Sequence, residues 1–557
     1  MKKDIEIQVD AGKSRGVLEH YWRYIGFDEC NFAYTPEGLE LLRKFGELEH
    51  EAYYIRSHFM FNTGNCNGVP KYGSTNIYTE DADGNPVYNF EIYDKIVDSY
   101  LETGNKPFLE LGFMPMDLVD TSYLPKIEEK QAARRYMQDG WSCPPKDYGK
   151  WHALIEALGR HLTDKYGKEQ VETWYFELWN EPDISYWRGS VAEYCKLFDY
   201  TEHALHAAGP DLRLGGPGVT TLIRGRLASE FFSYFLQHCK SGVNFYSGAA
   251  GTRLDFISYH AKGGGFRFTV KAEKEAPSVS NLIRHIRFGL DDIVKSGFSG
   301  REVVLSEADP DGWAAGGYYD NSNLIFRNTE YYATYTAAAY CKIGSLAKEY
   351  GVSIKPLAWA FLFPAERCFE GTRTFSTMGI NKAIFNLFAI FGKLGREELG
   401  FSSSGALPPE EAEPYAEGRN NITIFDGDER RADVSGFGAR GENGEIQVFI
   451  YSHHDDRDIN SSNRIRLTVS GAGGSGSFSL THYRIDRDHS NPYGEWERQG
   501  KPWYPDKKQY EKIKSRDSLE CLENKLIDVK DGVIAHDFEM PSHSISLLVF
   551  EKAGGEK

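Results

Sequence analysis

Two acids in this chain stand where carboxylate chemistry would be done. Glu181 closes the run Thr173-Trp-Tyr-Phe-Glu-Leu-Trp-Asn-Glu-Pro182, and Glu307 closes Glu302-Val-Val-Leu-Ser-Glu307. In both, an apolar, β-forming stretch ends in an acid. A Glu before Pro can simply cap the next helix, with Pro182 at its first position. Here Trp174 and Trp179 bracket the strand and would desolvate the acid, and Asn180 beside it can bind a substrate hydroxyl. Two carboxylates about 5–5.5 Å apart cleave a glycosidic bond with retention: one protonates the leaving oxygen, the other attacks the anomeric carbon. Asp309 and Asp311 compete with Glu307, but they follow the strand end in a Pro/Gly turn.

For these acids to meet, strands must end at one face. Short apolar runs recur at Tyr21–Ile25, Tyr53–Phe61, Pro107–Met114, Thr173–Trp179, Leu212–Gly215, Leu254–His260, Glu302–Leu305 and Pro356–Phe361. Helical patterns lie between them. In Lys150–Tyr166, Trp151, Leu154, Ile155, Leu158 and Leu162 share one face; Asn328–Leu346 and Asn381–Leu394 read alike. Eight strands alternating with helices predict an α/β fold, a (β/α)₈ TIM barrel over residues 15–395. A doubly wound sheet is the alternative, but no GxGxxG marks a first strand–helix junction. Glu181 and Glu307 are 126 residues apart, three units of 42, which puts them at the ends of strands 4 and 7.

Other polar groups fall on the same face. Arg56 and His58 alternate inward on strand 2; a buried Arg needs an anion, and Glu307 is the natural one. Tyr259 and His260 end strand 6, where either ring can bond a carboxylate or a sugar hydroxyl. Trp359 on strand 8 offers an apolar floor, Trp313 a further ring, and Glu366 an acceptor in the last loop. Each has a plainer reading as a core or solvated residue; their shared placement favours a site. Long loops are expected at Met116–Asp147 and Lys262–Ser278.

After about Gly395 the pattern changes to short alternating strands, at Ile422–Phe425, Ile446–Tyr451, Arg464–Val469, Phe478–Tyr483 and Ser544–Phe550, with one helix near Lys507–Ile513. Residues 396–557 read as a β-sandwich, and residues 1–14, with the Ile5–Val9 alternation, as a strand joining it.

The chain has 557 residues and a formal charge of −17, and 14% of it is aromatic. That charge argues against nucleic acid or an anionic membrane as partner, and no apolar run approaches the ~20 residues of a membrane helix. The N-terminus has no apolar segment of a secretory signal, so a cytoplasmic location is expected, with a trimmed secreted chain as the alternative. The eight cysteines are scattered with no CxxC pair, which suggests neither a zinc site nor a redox motif.

The motifs resemble glycoside hydrolase family 39, the family of β-xylosidases among the retaining barrel glycosidases. Trp179-Asn-Glu-Pro182 is similar to the acid/base motif, Lys106-Pro-Phe-Leu-Glu-Leu-Gly-Phe-Met-Pro115 to the strand-3 signature, and Asp255-Phe-Ile-Ser-Tyr-His260 to strand 6. Thr481-His-Tyr-Arg-Ile-Asp-Arg-Asp-His-Ser-Asn491 resembles a strand of the family's sandwich. The resemblance implies Glu181 as acid/base, Glu307 as nucleophile, and no metal or cofactor. Xylosidase-type members carry an aromatic residue after the nucleophile, where this chain has Ala308. A β-xylosidase acting on plant-type oligosaccharides is the first expectation. An arabinosidase or disaccharide-releasing member is the alternative, and a binding protein without catalysis is the rival class. Oligomeric state is left open by the sequence.

Overall fold

Eight parallel strands close into a barrel: β1 (Tyr24–Phe27), β2 (Tyr54–Ser57), β3 (Lys106–Leu111), β4 (Tyr175–Leu178), β5 (Arg213–Val219), β6 (Phe256–Lys262), β7 (Val303–Asp309) and β8, which is broken at Leu357 into Ile354–Pro356 and Ala358–Trp359. The first half of β8 pairs with β7 and the second with β1, which completes the ring. This computed structural model describes residues 4–64, 73–124, 126, 140–265, 274–363, 365–409, 422–423, 431–474 and 476–553.

A helix follows every strand: α1 (Pro36–Gly46), α2 (Glu91–Glu102), α3 (Tyr148–Tyr166), α4 (Val191–Ala208), α5 (Leu227–Ser241), α6 (Val279–Lys295), α7 (Glu330–Tyr350) and α8 (Ala383–Phe391). Their starts are chemically marked. Asp147 caps α3, and Ser190 with Glu193 forms a capping box on α4. The predicted face of α3 is the buried one: Trp151, Leu154, Ile155, Leu158 and Leu162 all face the core.

Because strand side chains alternate, the barrel interior fills in layers. The floor is a cluster of Tyr24, Phe108, Tyr175, Phe256, Val304 and Leu357, with Tyr54 against it. Tyr24 stacks on Tyr54 at 4.9 Å, and its hydroxyl meets that of Tyr175 at 3.1 Å. Gly215 on β5 makes room for this layer, since a Cβ there would fall 2.4 Å from the Phe256 ring. Two residues further along each strand the layer turns polar: Arg56, Glu110, Glu177, Ser258 and Ser306, all buried. Much of the aromatic surplus is therefore barrel floor and helix–barrel packing, and the rings also make a water-poor base beneath the polar layer.

The rest of the chain forms a continuous nine-stranded sheet, mostly antiparallel. The first strand, Asp4–Val17, lies within it, parallel to Ser462–Ser470 and antiparallel to Glu397–Ser403. The sheet has its own core of Ile5, Ile7, Val9, Val448, Ile465, Leu467, Leu480 and their neighbours. Four strands went unread in the sequence: Glu397–Ser403, Asp433–Arg440, Glu520–Val529 and Ile534–Pro541. Asp433–Arg440 is interrupted by Gly436 and Gly438, while charged residues interrupt the apolar alternation of Glu520–Val529 and Ile534–Pro541. The expected strand at Ile422–Phe425 lies partly outside the described residues, and Ile422–Thr423 pairs instead with Glu275–Ala276 of the loop after β6. Parts of the expected loops 116–147 and 262–278 also lie outside the described residues. Helices Pro492–Arg498 and Lys507–Lys514 lean back on the loop after β8 through Trp496 and Ile513. Among the described residues no helix is long and apolar enough to cross a membrane. The seven described cysteines are free thiols.

Candidate active site

Glu181 is presented by a forced turn. Trp179 and Glu181 both adopt left-handed backbone, φ 67° and 47°, a conformation that costs a non-glycine residue on the order of 1 kcal/mol. The surroundings impose it. The Trp179 amide donates to the Leu111 carbonyl and its indole to the Tyr186 carbonyl. The Glu181 amide donates to the Gly218 carbonyl at 2.9 Å. The turn leaves β4 by reversing the chain, which carries the carboxyl over the polar layer.

Glu307 arrives by a different device. Pairing of β7 with β6 slips between Leu305 and Glu307, so that Glu307 stands opposite His260. After the inward Ser306, a regular strand would turn Ala308 inward; the bulge turns Glu307 in instead. Bulges re-aim side chains beside functional sites in this way.

The two carboxyls meet on His260. Its Nδ1 lies 2.9 Å from Glu181 Oε1 and 3.7 Å from Glu307 Oε2. One oxygen of each acid and a His260 nitrogen all fall within 4.8 Å of one another. That spacing matches the close pair of a double displacement and is too tight for the ~6.5–9.5 Å of direct water attack.

Their surroundings differ sharply. Glu307 Oε2 receives the Lys262 ammonium at 2.6 Å, while Oε1 faces His58 Nε2 at 3.4 Å and the Arg56 guanidinium at 3.7 Å. Burial pushes the Glu307 carboxyl up, but His260, Lys262 and His58 outweigh it and hold it well below the usual range. Burial likewise disfavours the His58 imidazolium, yet Glu110 overcomes this and raises it to about 10. Glu307 is thus kept ionised among cations. Replacing Lys262 with Met is expected to raise the Glu307 pKa. With Glu307 as a nucleophile that must be ionised, the acidic limb of kcat/KM should move to higher pH, with a roughly 10- to 100-fold loss at the optimum. A pH–rate profile on an aryl glycoside checks this; an unmoved acidic limb would refute it.

Arg56 is fully buried, but Glu307 is not its main anion. Its Nε donates to Glu177 at 2.6 Å, and one terminal nitrogen approaches Glu110 at 3.2 Å. The same nitrogen donates to Asn180 Oδ1 at 3.0 Å. With its oxygen taken, Asn180 is left to offer N–H to a ligand. Glu307, expected as the anion of Arg56, is one of three around it: the pleat sets Glu110 and Glu177 in the same layer as Arg56, one level below the acid pair.

Two other expected residues point elsewhere. Tyr259 faces outward between inward Ser258 and His260, donates to the Ile286 carbonyl at 2.8 Å and packs on Phe232. Glu366 turns into a pocket of its own, accepting from Thr372 and Thr374 with Lys382 at 3.9 Å. Burial raises its pKa, and its oxygens are committed to the loop after β8. Trp359 does stand at the site, 5.0 Å from the His58 ring, with its amide on Asp309. Trp313 lies beyond β7, its backbone closing the Asp311 turn and its ring over Gly316.

Four residues were missed. Glu110 and Glu177 carried a readable signal, an acid inside an apolar strand. Lys262 follows His260 by two and so shares its face, but β6 was ended one step too soon. Asp309 was set aside as a turn residue, whereas β7 runs through it; it accepts from Lys262 at 2.6 Å and pairs with Arg373 at 3.1 Å.

Glu181, His260 and Glu307 could also offer three donors to a metal. The Glu307 oxygen nearest His260 is Oε2, which already holds the Lys262 ammonium at 2.6 Å, and Oε1 faces His58 and Arg56, so neither Glu307 oxygen is left for a metal ion. A carboxyl bonded to an imidazole beside one held ionised by cations suits proton transfer and nucleophilic attack. A closed (β/α)₈ barrel carrying that pair at its strand ends defines a retaining glycoside hydrolase.

The profile described as "Glycosyl hydrolases family 39" matches residues 5–519. The chain belongs to that family. It is 24% identical over 560 residues to the β-xylosidase of Geobacillus stearothermophilus, covering 96% of this chain and 93% of the relative. It is also 24% identical over 538 residues to the α-L-iduronidase of Homo sapiens, covering 91% and 73%. A monomeric β-xylosidase from Caulobacter crescentus CB15 superposes with TM-score 0.75 at 21% identity, covering 99% of this chain and all of that one.

Proposed function

We propose that this chain is an exo-acting β-xylosidase of the retaining type, with Glu307 as nucleophile and Glu181 as acid/base. Glu307 attacks the anomeric carbon while Glu181 protonates the departing oxygen; Glu181 then takes a proton from the water that releases the sugar. Asn180, oriented by Arg56, would hold the hydroxyl next to the anomeric centre. The observation that carries the glycone reading is charge balance. Arg56, His58, Lys262 and Arg373 are each paired with carboxylates, which suits an uncharged pentose. Near-complete length agreement with a β-xylosidase supports it. For the leaving saccharide, Tyr318, Tyr319 and Trp503 stack beside Arg367, which lies 4.1 Å above the Trp503 ring, on loops after β7 and β8 and on the second unit.

One observation favours a second reading. The Lys262 ammonium lies beside the nucleophile at the barrel mouth and has a third N–H to give, which a uronic acid would use; α-L-iduronidases are among the relatives. A panel of aryl glycosides (β-xyloside, α-L-iduronide, α-L-arabinofuranoside, α-L-arabinopyranoside) decides. The highest kcat/KM is expected on the β-xyloside, with the β-anomer of xylose formed first by proton NMR. A preference for the iduronide would overturn the xylosidase reading, and hydrolysis of none would leave only binding.

A further inference from the structure

Far from the barrel mouth, three side chains from three strands of the second sheet converge. His482 on Gly476–Ile485 stands opposite Glu523 on the paired strand Glu520–Val529, and His536 comes from Ile534–Pro541. Glu520–Val529 is one edge of the nine-stranded sheet and Ile534–Pro541 is the other. The sheet curls until these edges face each other, and the cluster bridges the seam. The two edge strands are consecutive in the chain and are joined at one end by the Lys530–Val533 turn.

The three residues offer donor atoms that all lie within 4.8 Å of one another. His536 Nε2 and Glu523 Oε2 are 3.5 Å apart, close to the ~3.3–3.5 Å between donors of a tetrahedral ion with bonds of about 2.0–2.2 Å. Both imidazoles are buried, 1% exposed at His482 and 7% at His536. Among the described residues, neither His482 Nδ1 nor His536 Nε2 has a hydrogen-bond partner. Orphaned buried nitrogens are costly and ask for a ligand. The supporting contacts fit one. His482 Nε2 meets Ser546 Oγ at 2.9 Å; a proton there donates to the hydroxyl and turns the Nδ1 lone pair toward the cluster. Phe538 wedges both rings, edge-on to His482 and stacked on His536. Lys525 holds Glu523 Oε1 at 2.6 Å, which leaves Oε2 for the ion. The Glu523 side chain is a third exposed, giving an entry path and room for a fourth, water ligand.

We propose that His482, Glu523 and His536 form a structural zinc site that clasps the two edges of the second sheet. Two imidazoles and one carboxylate are the donors zinc prefers. Closing a seam between strands that share no ladder is where a clasp stabilises most.

The test uses the full chain, stripped with a chelator and titrated with zinc by calorimetry, with thermal unfolding in parallel. The expected result is one zinc per chain and a Tm that rises with zinc. Glu523→Gln, near the surface, and His536→Gln should each weaken binding by at least about 10-fold and abolish the rise. Aryl-glycoside hydrolysis by Glu523→Gln, unchanged without zinc, shows that the fold is intact. The proposal is overturned if the stripped wild type takes up no zinc, or if Glu523→Gln binds it as tightly as wild type, which would place the ion elsewhere.

Discussion

Replacing Glu307 with Ala should lower kcat on the order of 10⁴-fold or more, leaving the fold intact. On the proposed mechanism the group lost is the attacking carboxylate, so every substrate suffers whatever its leaving group. The same substitution removes the anion that faces Lys262, His58 and Arg56. Those cations would then present an anion-binding cavity, and added azide should restore turnover by attacking from the emptied side, giving a glycosyl azide of inverted configuration. A second readout tests the covalent step directly. A dinitrophenyl 2-deoxy-2-fluoro-glycoside should add one sugar mass to the wild-type peptide that contains Glu307 and none to the variant. Labelling on Asp309, or undiminished turnover by Glu307→Ala, would mean that the bulge on β7 delivers the wrong acid.

The second large effect concerns Glu181. With Ala there, a phenyl glycoside should lose roughly 10²- to 10⁴-fold in kcat/KM, whereas a dinitrophenyl glycoside, whose leaving group needs no proton, should lose little. Its turnover would instead stall at the glycosyl-enzyme, seen as a burst followed by slow release, because no base activates water. Equal losses on both substrates would remove Glu181 from the acid role. His260 links the two acids, its Nδ1 bonding Glu181 at 2.9 Å and lying 3.7 Å from Glu307.

Both experiments probe features whose legibility in the sequence was uneven. Glu181 and Glu307 were readable because each ends an apolar run, and strand ends of a barrel share one face. The barrel was readable from eight such runs and the helical spacing between them. Arg56 and His58 were placed by simple alternation. The same rule, applied one step further along β6, would have reached Lys262, and applied to β3 and β4 it would have reached Glu110 and Glu177. Tyr259 shows the rule in reverse, since its neighbours on either side face inward and it must face out. Glu366 sits in a loop, where no period governs direction.

What the sequence determined by itself was local and periodic: which stretches are strands, which face of each is apolar, and which acids stand at their ends. The tertiary structure decided the rest. A one-residue bulge on β7 chose Glu307 over its neighbours. A left-handed turn held by Leu111, Gly218 and Tyr186 aimed Glu181. Burial set Lys262, His58 and Arg56 around one carboxylate. Curling of the second sheet brought His482, Glu523 and His536 together across 54 residues of chain. The reason is physical: side-chain alternation is fixed within each strand, whereas the distance between charges, and the medium that sets their strength, exists only once the strands have closed.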